Sequence, residues 1–363
     1  MQFGHFSLMG YRTAGTPSHE ILDDTVAQVK AAEAAGFEIA WFAEHHFSNY
    51  CICPSPLMMV ARSAGETARI RLGSAVVVVP LYHPARLLAE IGMVDALSHG
   101  RFVLGLGSGY QPYEFERFGE NLAASKAKLE EFLDMYERAF ARETFTYEGT
   151  HYRLPETHIA TRPYGPLPPV WLAGDNPELH RMAARRGYVP MIGTRNLTGE
   201  QLAAMRRSLD QTFGAEGRET PAPLAILRHA CVTDSRDEAM AFLEETRHQL
   251  RLSASLRRRE EVVNGAMLEE KPFPGEPSLD DLARHLPVGD PAQVAERLAD
   301  TIRHGRPSHM LLQFQVGDWP QAKALASIER FGSEVRPLLE ASLGPLDATA
   351  APSGDAAQAH RSA

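Results

Sequence analysis

Short apolar runs alternate with longer amphipathic ones along almost the whole chain, and the two periods separate strands from helices. Phe3–Met9 reads as a first strand. The helix after it uses Leu22, Val26, Val29 and Ala32 as one apolar face and closes on Gly36, which tolerates the left-handed conformation of a helix end. Glu38–Ala43 is the second strand and Pro54–Ala68 the second helix. Leu72–Pro80 is the third strand. Its unbroken Ala-Val-Val-Val-Val run is the mark of a parallel strand covered on both faces. Pro84–Leu97 follows as a helix with proline in its first turn, where no N–H is needed. Arg101–Leu106 is the fourth strand, and Leu122–Ala141 the fourth helix, with Leu129, Phe132, Tyr136 and Phe140 on one side.

The alternation continues with strands at Val170–Gly174, Pro190–Gly193, Leu224–Thr233 and His309–Gln315. Helices are expected at Glu178–Arg186, Thr198–Phe213, Arg236–Leu250, Pro291–His304 and Gln321–Leu339. Buried parallel strands, each followed by a helix, indicate an α/β fold. A count of eight favours a closed (β/α)8 TIM-type barrel over the alternative, an open doubly wound sheet. Two stretches break the rhythm. Thr144–Leu154, with Glu148-Gly149 at its centre, reads as an inserted β-hairpin. Residues 251–288 are charged, punctuated by proline and glycine, and long for a connection, which is the pattern of a lid or a disordered loop. The expected organisation is one barrel domain over 1–343 and a disordered tail over 344–363, rich in Ala, Pro, Ser and Gly.

Composition narrows the function. With 44% hydrophobic and 23% charged residues the chain of 363 residues is ordinary globular protein. Lys+Arg 37 against Asp+Glu 46 leaves a net charge of −9, which argues against nucleic acid as the main partner. Three cysteines imply no disulfide framework, and Cys51 and Cys53 lack a second pair to complete a zinc site. The opening MQFGHFSLMGYR is no signal peptide, and the longest apolar stretch, Ala75–Leu81, is far too short to span a membrane. A soluble, cytoplasmic protein is the expectation.

In a parallel barrel the chemistry sits at the C-terminal ends of the strands, so the candidates are the residues just after each run. Strand two is followed by Glu44, His45, His46 and Phe47, and strand three by Tyr82, His83 and Pro84. Strand four leads into Gly105, Gly107, Ser108, Gly109 and Tyr110. Strand five leads into Asp175, Asn176 and Pro177, and strand six into Thr194 and Arg195. Adjacent histidines on extended backbone point to opposite faces, so one of His45 and His46 looks into the pocket and the other packs or braces a loop. An imidazole there suits proton transfer near neutral pH. A metal centre competes poorly, because neither H-x-H nor H-E-x-x-H occurs. The Gly105–Gly109 run fails the G-x-G-x-x-G spacing, and no helix is expected to open after it. It is either a tight turn or a place where a flat or phosphorylated ligand meets bare backbone. Gly174-Asp175-Asn176-Pro177 reads as a capped helix start with free N–H groups for a phosphate, although Asp175 and Glu178 would repel one.

Six stretches in order resemble one family. FGHFSL, AAGFEIAWFAEHHF, RLGSAVVVVPLYHPARLLAE, LSHGRFVLGLGSG, PPVWLAGDNPE and VGDP are similar to the flavin-dependent luciferase-like monooxygenases, which include bacterial luciferase. The resemblance implies a TIM-type barrel, in agreement with the strand count. It further implies that His45 is the catalytic histidine and that Ser74, Ala75 and Val76 line the isoalloxazine ring at a non-prolyl cis peptide. Gly107, Ser108, Tyr110, Gly174, Asp175, Asn176 and Met191 would complete the cofactor site. Ser108 stands where luciferase has a phosphate-binding arginine, so the phosphate needs another partner. Asp175-Asn176 matches the family's phosphate turn, which carries a carboxylate in luciferase too. Gly107 replaces a reactive cysteine of some luciferases, so neither light emission nor an aldehyde substrate is implied. Segment 251–288 falls at the family's mobile lid.

The implied reaction uses reduced FMN from a separate flavin reductase and O2. It passes through a C4a-(hydro)peroxyflavin, with His45 assisting proton transfer and a small, apolar substrate held by Phe47, Tyr82 and Phe273. A homodimer through helices 54–68 and 84–97 is expected. The competing readings are a deazaflavin-dependent hydride-transfer enzyme, a non-catalytic flavin-binding relative and, last, a metal-dependent hydrolase.

Overall fold

The computed structural model describes residues 1–193 and 197–346. Eight parallel strands close into a barrel: β1 (Gln2–Ser7), β2 (Ile39–Phe42), β3 (Arg71–Ser74), β4 (Phe102–Gly107), β5 (Val170–Ala173), β6 (Val189–Gly193), β7 (Ala225–His229) and β8 (His309–Gln313). Each strand pairs with the next, and β8 returns to β1 through Phe3 opposite Met310. The open-sheet alternative is thereby excluded.

The barrel floor shows why glycine interrupts otherwise apolar strands. Trp41 and Trp171 pack with ring centroids 4.5 Å apart, and a Cβ on Gly73 would come within 2.3 Å of Trp41. Large rings on some strands need bare backbone on their neighbours if the layer is to fill without overlap. The apolar helix face reads as expected: Val26, Val29 and Ala32 of Ser18–Ala34 are buried, and Gly36 takes a φ of +82° just past its end.

Several boundaries differ from expectation, each for a local reason. The third strand breaks after Ser74, where the Ala75–Val76 peptide is cis. It resumes as Val77–Val78 and turns through Val79–Leu81. The seventh strand breaks at Ala230, and Cys231–Val232 pairs instead with Val288–Gly289 outside the barrel. A helix does open after the glycine run, at Pro112–Phe118, starting on proline and closing on Gly119 in the left-handed conformation. The hairpin extends further than expected, pairing Phe145–Glu148 with Arg153–Thr157. The second helix is shorter, Pro56–Ala64.

The expected lid is largely regular structure. The helix begun at Arg236 runs to Arg258 because Leu252 and Leu256 continue its buried face. A small hairpin follows, Val263–Asn264 with Met267–Leu268, then the helix Leu279–His285. Leu282, Leu286, Phe242, Leu243 and Trp319 form a second apolar cluster beside the main core. At the other end, Leu346 is buried and its carbonyl accepts from the Met1 ammonium at 2.5 Å, so the ordered chain reaches past residue 343. The rest of the expected tail, 347–363, lies outside the described residues, as do Thr194 and Arg195.

Candidate active site

Alternation along the strands decides which side chains enter the barrel. On β2 and the loop after it, Trp41, Ala43 and His45 point inward, while Phe42 and His46 point toward the helices. On β4 the inward positions are Gly105 and Gly107, on β6 Met191 and Gly193, and on β7 Leu227 and His229. At the C-terminal end of the barrel these residues bound a cavity of about 500 Å3.

His45 is held at Nδ1, which donates to Glu114 Oε1 at 3.0 Å, while the neighbouring Gln111 amide nitrogen donates to Tyr110 Oη at 3.1 Å. The same Glu114 oxygen accepts the His46 backbone N–H at 2.8 Å. Glu114 is buried, and the His45 side chain is 12% exposed. Burial alone would drive the proton off this imidazole. The Tyr110 phenol oxygen and the Glu114 carboxylate outweigh it and raise the pKa to about 9, so His45 is cationic at neutral pH.

His46 belongs to a different network. Its Nε2 meets Glu44 Oε1 at 3.0 Å, and Glu44 Oε2 accepts from Val78 N–H and Tyr82 Oη, each at 3.0 Å. Burial raises the Glu44 pKa, and the His46 contact works against that rise.

One wall of the cavity is nearly all backbone. Ala75, Val76, Gly107, Ser108 and Gly174 line it, and a Cβ on Gly107 would sit 2.6 Å from Val76. Beside them Asn176 caps the helix Pro177–Arg186, its Oδ1 accepting from Leu179 N–H at 3.0 Å, with Asp175 exposed at the rim. Lys126 and Arg257 reach the same cavity. Lys126 pairs with Glu178 at 2.7 Å, and the Arg257 guanidinium stacks 4.3 Å over Tyr110.

The opposite wall carries side chains: Phe6, Leu8, Tyr50, Leu227, His229 and Gln249. A chain of hydrogen bonds orients it. Gln313 Nε2 donates to the Gln315 carbonyl and to Gln249 Oε1, each at 2.8 Å. That leaves Gln249 Nε2 facing His229 Nε2 at 3.1 Å. An amide nitrogen can only donate, so in this contact His229 accepts at Nε2.

Ten of the fourteen expected site residues therefore meet in this cavity: His45, Ala75, Val76, Gly107, Ser108, Tyr110, Gly174, Asp175, Asn176 and Met191. Four do not. Ser74 is fully buried and its hydroxyl is spent on the Gly105 backbone at 2.8 and 3.0 Å. Phe47, where a φ of +65° breaks the alternation, and Tyr82 line a separate, larger groove of about 710 Å3 with Met58, Met93, Leu97 and Phe118. Phe273 packs against the second apolar cluster under Arg258. Sequence reasoning missed Gln111, Glu114, Lys126, Gln249 and Arg257. The signal for Glu114 was present as proline at one end and glycine at the other end of Pro112–Gly119. Among the described residues no group of histidine, cysteine and carboxylate side chains could hold a metal ion, and no helix is long and apolar enough to cross a membrane.

Comparison with known proteins agrees with this architecture. The profile of the luciferase-like monooxygenases matches residues 1–307. A Sinorhizobium fredii protein, y4vJ, is 38% identical over 96% of this chain and 100% of its own length. The oxygenase component of the flavin-dependent trigonelline monooxygenase of Acinetobacter baylyi is 27% identical over 68% of this chain and 69% of its own. Among solved structures, monooxygenase RslO1 from Streptomyces bottropensis superposes with a TM-score of 0.81 at 22% identity, covering 93% of this chain and 99% of that one. The oxygenating constituent of 3,6-diketocamphane monooxygenase from Pseudomonas putida, in complex with FMN, gives 0.77 at 20% identity, covering 93% and 98%. At these identities the two structures speak for the fold alone.

Proposed function

The chain belongs to the luciferase-like monooxygenase family, and on that premise we propose that it is the oxygenase of a two-component system. It would take reduced FMN from a separate flavin reductase and use O2 to oxygenate a small, largely apolar organic molecule. The observation that carries this reading is the buried His45–Glu114 pair facing a wall of bare backbone inside one cavity.

The residues present fit the cofactor. A cavity of about 500 Å3 lies within the ~300–1,000 Å3 common for such ligands. Glycine at 107 lets the Val76 side chain lie flat against the strand, because a Cβ there would come within 2.6 Å of it, and this keeps the wall smooth where a flat ring would rest. The start of helix Pro177–Arg186, Lys126 and Arg257 would hold the phosphate that an arginine holds in luciferase, where this chain has Ser108. When bound, reduced flavin supplies the electrons that activate O2.

The protein's own work is then orientation and proton management. Glu114 fixes the His45 ring and keeps it charged, so His45 holds a proton on Nε2 that it can give to a developing oxyanion. Phe6, Leu8, Tyr50 and Leu227 offer the substrate an apolar bed, and His229 and Gln249 give it a polar end. The outer groove, with Met58 70%, Met93 52% and Leu97 48% exposed, is the face we assign to a homodimer.

Mixing the protein anaerobically with reduced FMN and then admitting O2 tests the reading. A spectral transient outlasting that of free reduced flavin is expected. Reoxidation no slower than that of free FMN would overturn it, and reduction of a deazaflavin by substrate would put hydride transfer in its place.

A further inference from the structure

Asn49 lies four residues beyond His45 and is 1% exposed. Every polar group it owns is engaged, on two segments that are distant in sequence from it and from each other. Its backbone N–H donates to the Ala266 carbonyl at 2.7 Å, and its carbonyl accepts from Tyr11 N–H at 3.1 Å. Its side-chain Oδ1 accepts from Leu268 N–H at 2.9 Å, while Nδ2 donates to the Tyr11 carbonyl at 2.8 Å. One buried residue thus joins the loop that carries His45, the loop after β1 and the hairpin Val263–Leu268.

The hairpin has little else to hold it. It consists of two strands of two residues, and a lone hairpin of that size does not persist in water. Asn264, Gly265 and Ala266 are exposed. Leu268 alone is fully buried, and it enters the main core rather than the second cluster. Just beyond it, Glu270 accepts from Arg12 at 3.0 Å, His248 at 2.8 Å and Arg251 at 2.9 Å. Arg12 belongs to the same post-β1 loop that Asn49 grips. The hairpin is therefore tied at its tip to the His45 loop and at its end to that loop's neighbour.

We propose that Asn49 is a positioning residue that makes the hairpin and the His45 loop one cooperative element, so that neither can loosen without the other. The inference rests on the reading of His45 as the proton-handling group. Its consequence is that the hairpin and the His45 imidazole settle in a single step, and whatever orders one orders the other by the same factor.

Hydrogen exchange on the flavin-free, full-length protein tests it. Asn49→Ala should raise exchange at Ala266–Glu270 and at His45–Cys53 together, by about tenfold or more, while amides of β1 stay protected. Leu268→Ser, which undocks the hairpin from the far side and leaves Asn49 intact, should have the same paired effect. In Asn49→Ala the His45 ring, followed by NMR titration beside the wild type, should also lose its proton at lower pH than in the wild type. Faster exchange confined to the hairpin, with the His45 loop and its titration unchanged, overturns the proposal in either variant. These measurements need no flavin. A protein that passes them but forms no oxygen-reactive flavin complex fails the functional reading alone. One that binds flavin yet fails them loses this inference alone.

Discussion

Two neighbouring histidines, each bonded to a buried carboxylate at 3.0 Å, face two different cavities. His45 looks into the barrel, where charge, amide and backbone groups converge on about 500 Å3. His46 looks outward onto a larger groove whose lining is mostly apolar, with Met58, Met93, Leu57, Leu97 and Phe118 among it. The groove is bigger and more apolar, yet the smaller cavity is the one to which we assign the chemistry. Volume and apolar lining mark a place to bury surface, whereas a reaction needs titratable groups aimed at one point. Two inward-facing imidazoles sharpen the contrast further. A carboxylate, Glu114, faces His45, whereas an amide oriented by the Gln313–Gln249 relay faces His229.

Removing each member of the pair should separate the two regions. His45→Ala is expected to lower turnover about 100-fold or more, the usual weight of a positioned acid–base group, with FMN affinity nearly unchanged. Turnover and flavin titration of the same preparation measure the two, and equal loss in both would place His45 in binding instead. Glu114→Gln should cost less, about tenfold, and should move the basic limb of the pH profile downward from about 9, because the imidazolium loses its counter-charge. The sign also reaches stability. A histidine whose pKa is raised on folding stabilises the fold fully below its ordinary 6.5 and loses that contribution as pH climbs through about 9. Urea titrations across that window should show the slope in wild type and a weaker one in Glu114→Gln.

On the outer side, Glu44→Ala should act on stability first. It strands Val78 N–H, Tyr82 Oη and His46 Nε2, at about 1–3 kcal/mol for each group left unpaired, read as a lower denaturation midpoint. The mildest expectation belongs to the groove itself. Met93→Lys puts a charge on an exposed apolar surface, so it should dissociate a dimer in sedimentation experiments while turnover changes by about twofold at most. A large loss of turnover in the dissociated protein would show that the two regions are coupled.

The fold was readable because its evidence is repetitive. Eight apolar runs separated by helix-length amphipathic segments leave few architectures, and the end of each strand then names its own candidates. His45, Gly107 and the Gly174–Asn176 turn were found this way. The same counting went astray wherever the backbone stopped alternating. Phe47 and Tyr82 are aromatic and close to the barrel mouth in sequence, but the left-handed backbone at Phe47 and the turn before Tyr82 send their side chains to the outer groove. Phe6, Leu8, Leu227 and His229 were open to the same parity argument, since they continue the inward positions of β1 and β7. Arg257 was hidden because the helix carrying it was ended eight residues early, at Leu250 instead of Arg258.

What the sequence determined by itself was periodic and local: strand and helix order, barrel closure, and that only one of two adjacent histidines turns inward. Periods of 2 and 3.6 are properties of a short stretch of backbone, and eight of them in series leave little freedom. Only the tertiary structure decided that Glu114 meets His45, that Gln313 orients the amide facing His229, and that Asn49 binds a hairpin 219 residues away. Each of these depends on segments that share no period and come together only when the barrel closes. Burial then makes every unpaired polar group costly, so the partners are selected by geometry and not by order along the chain.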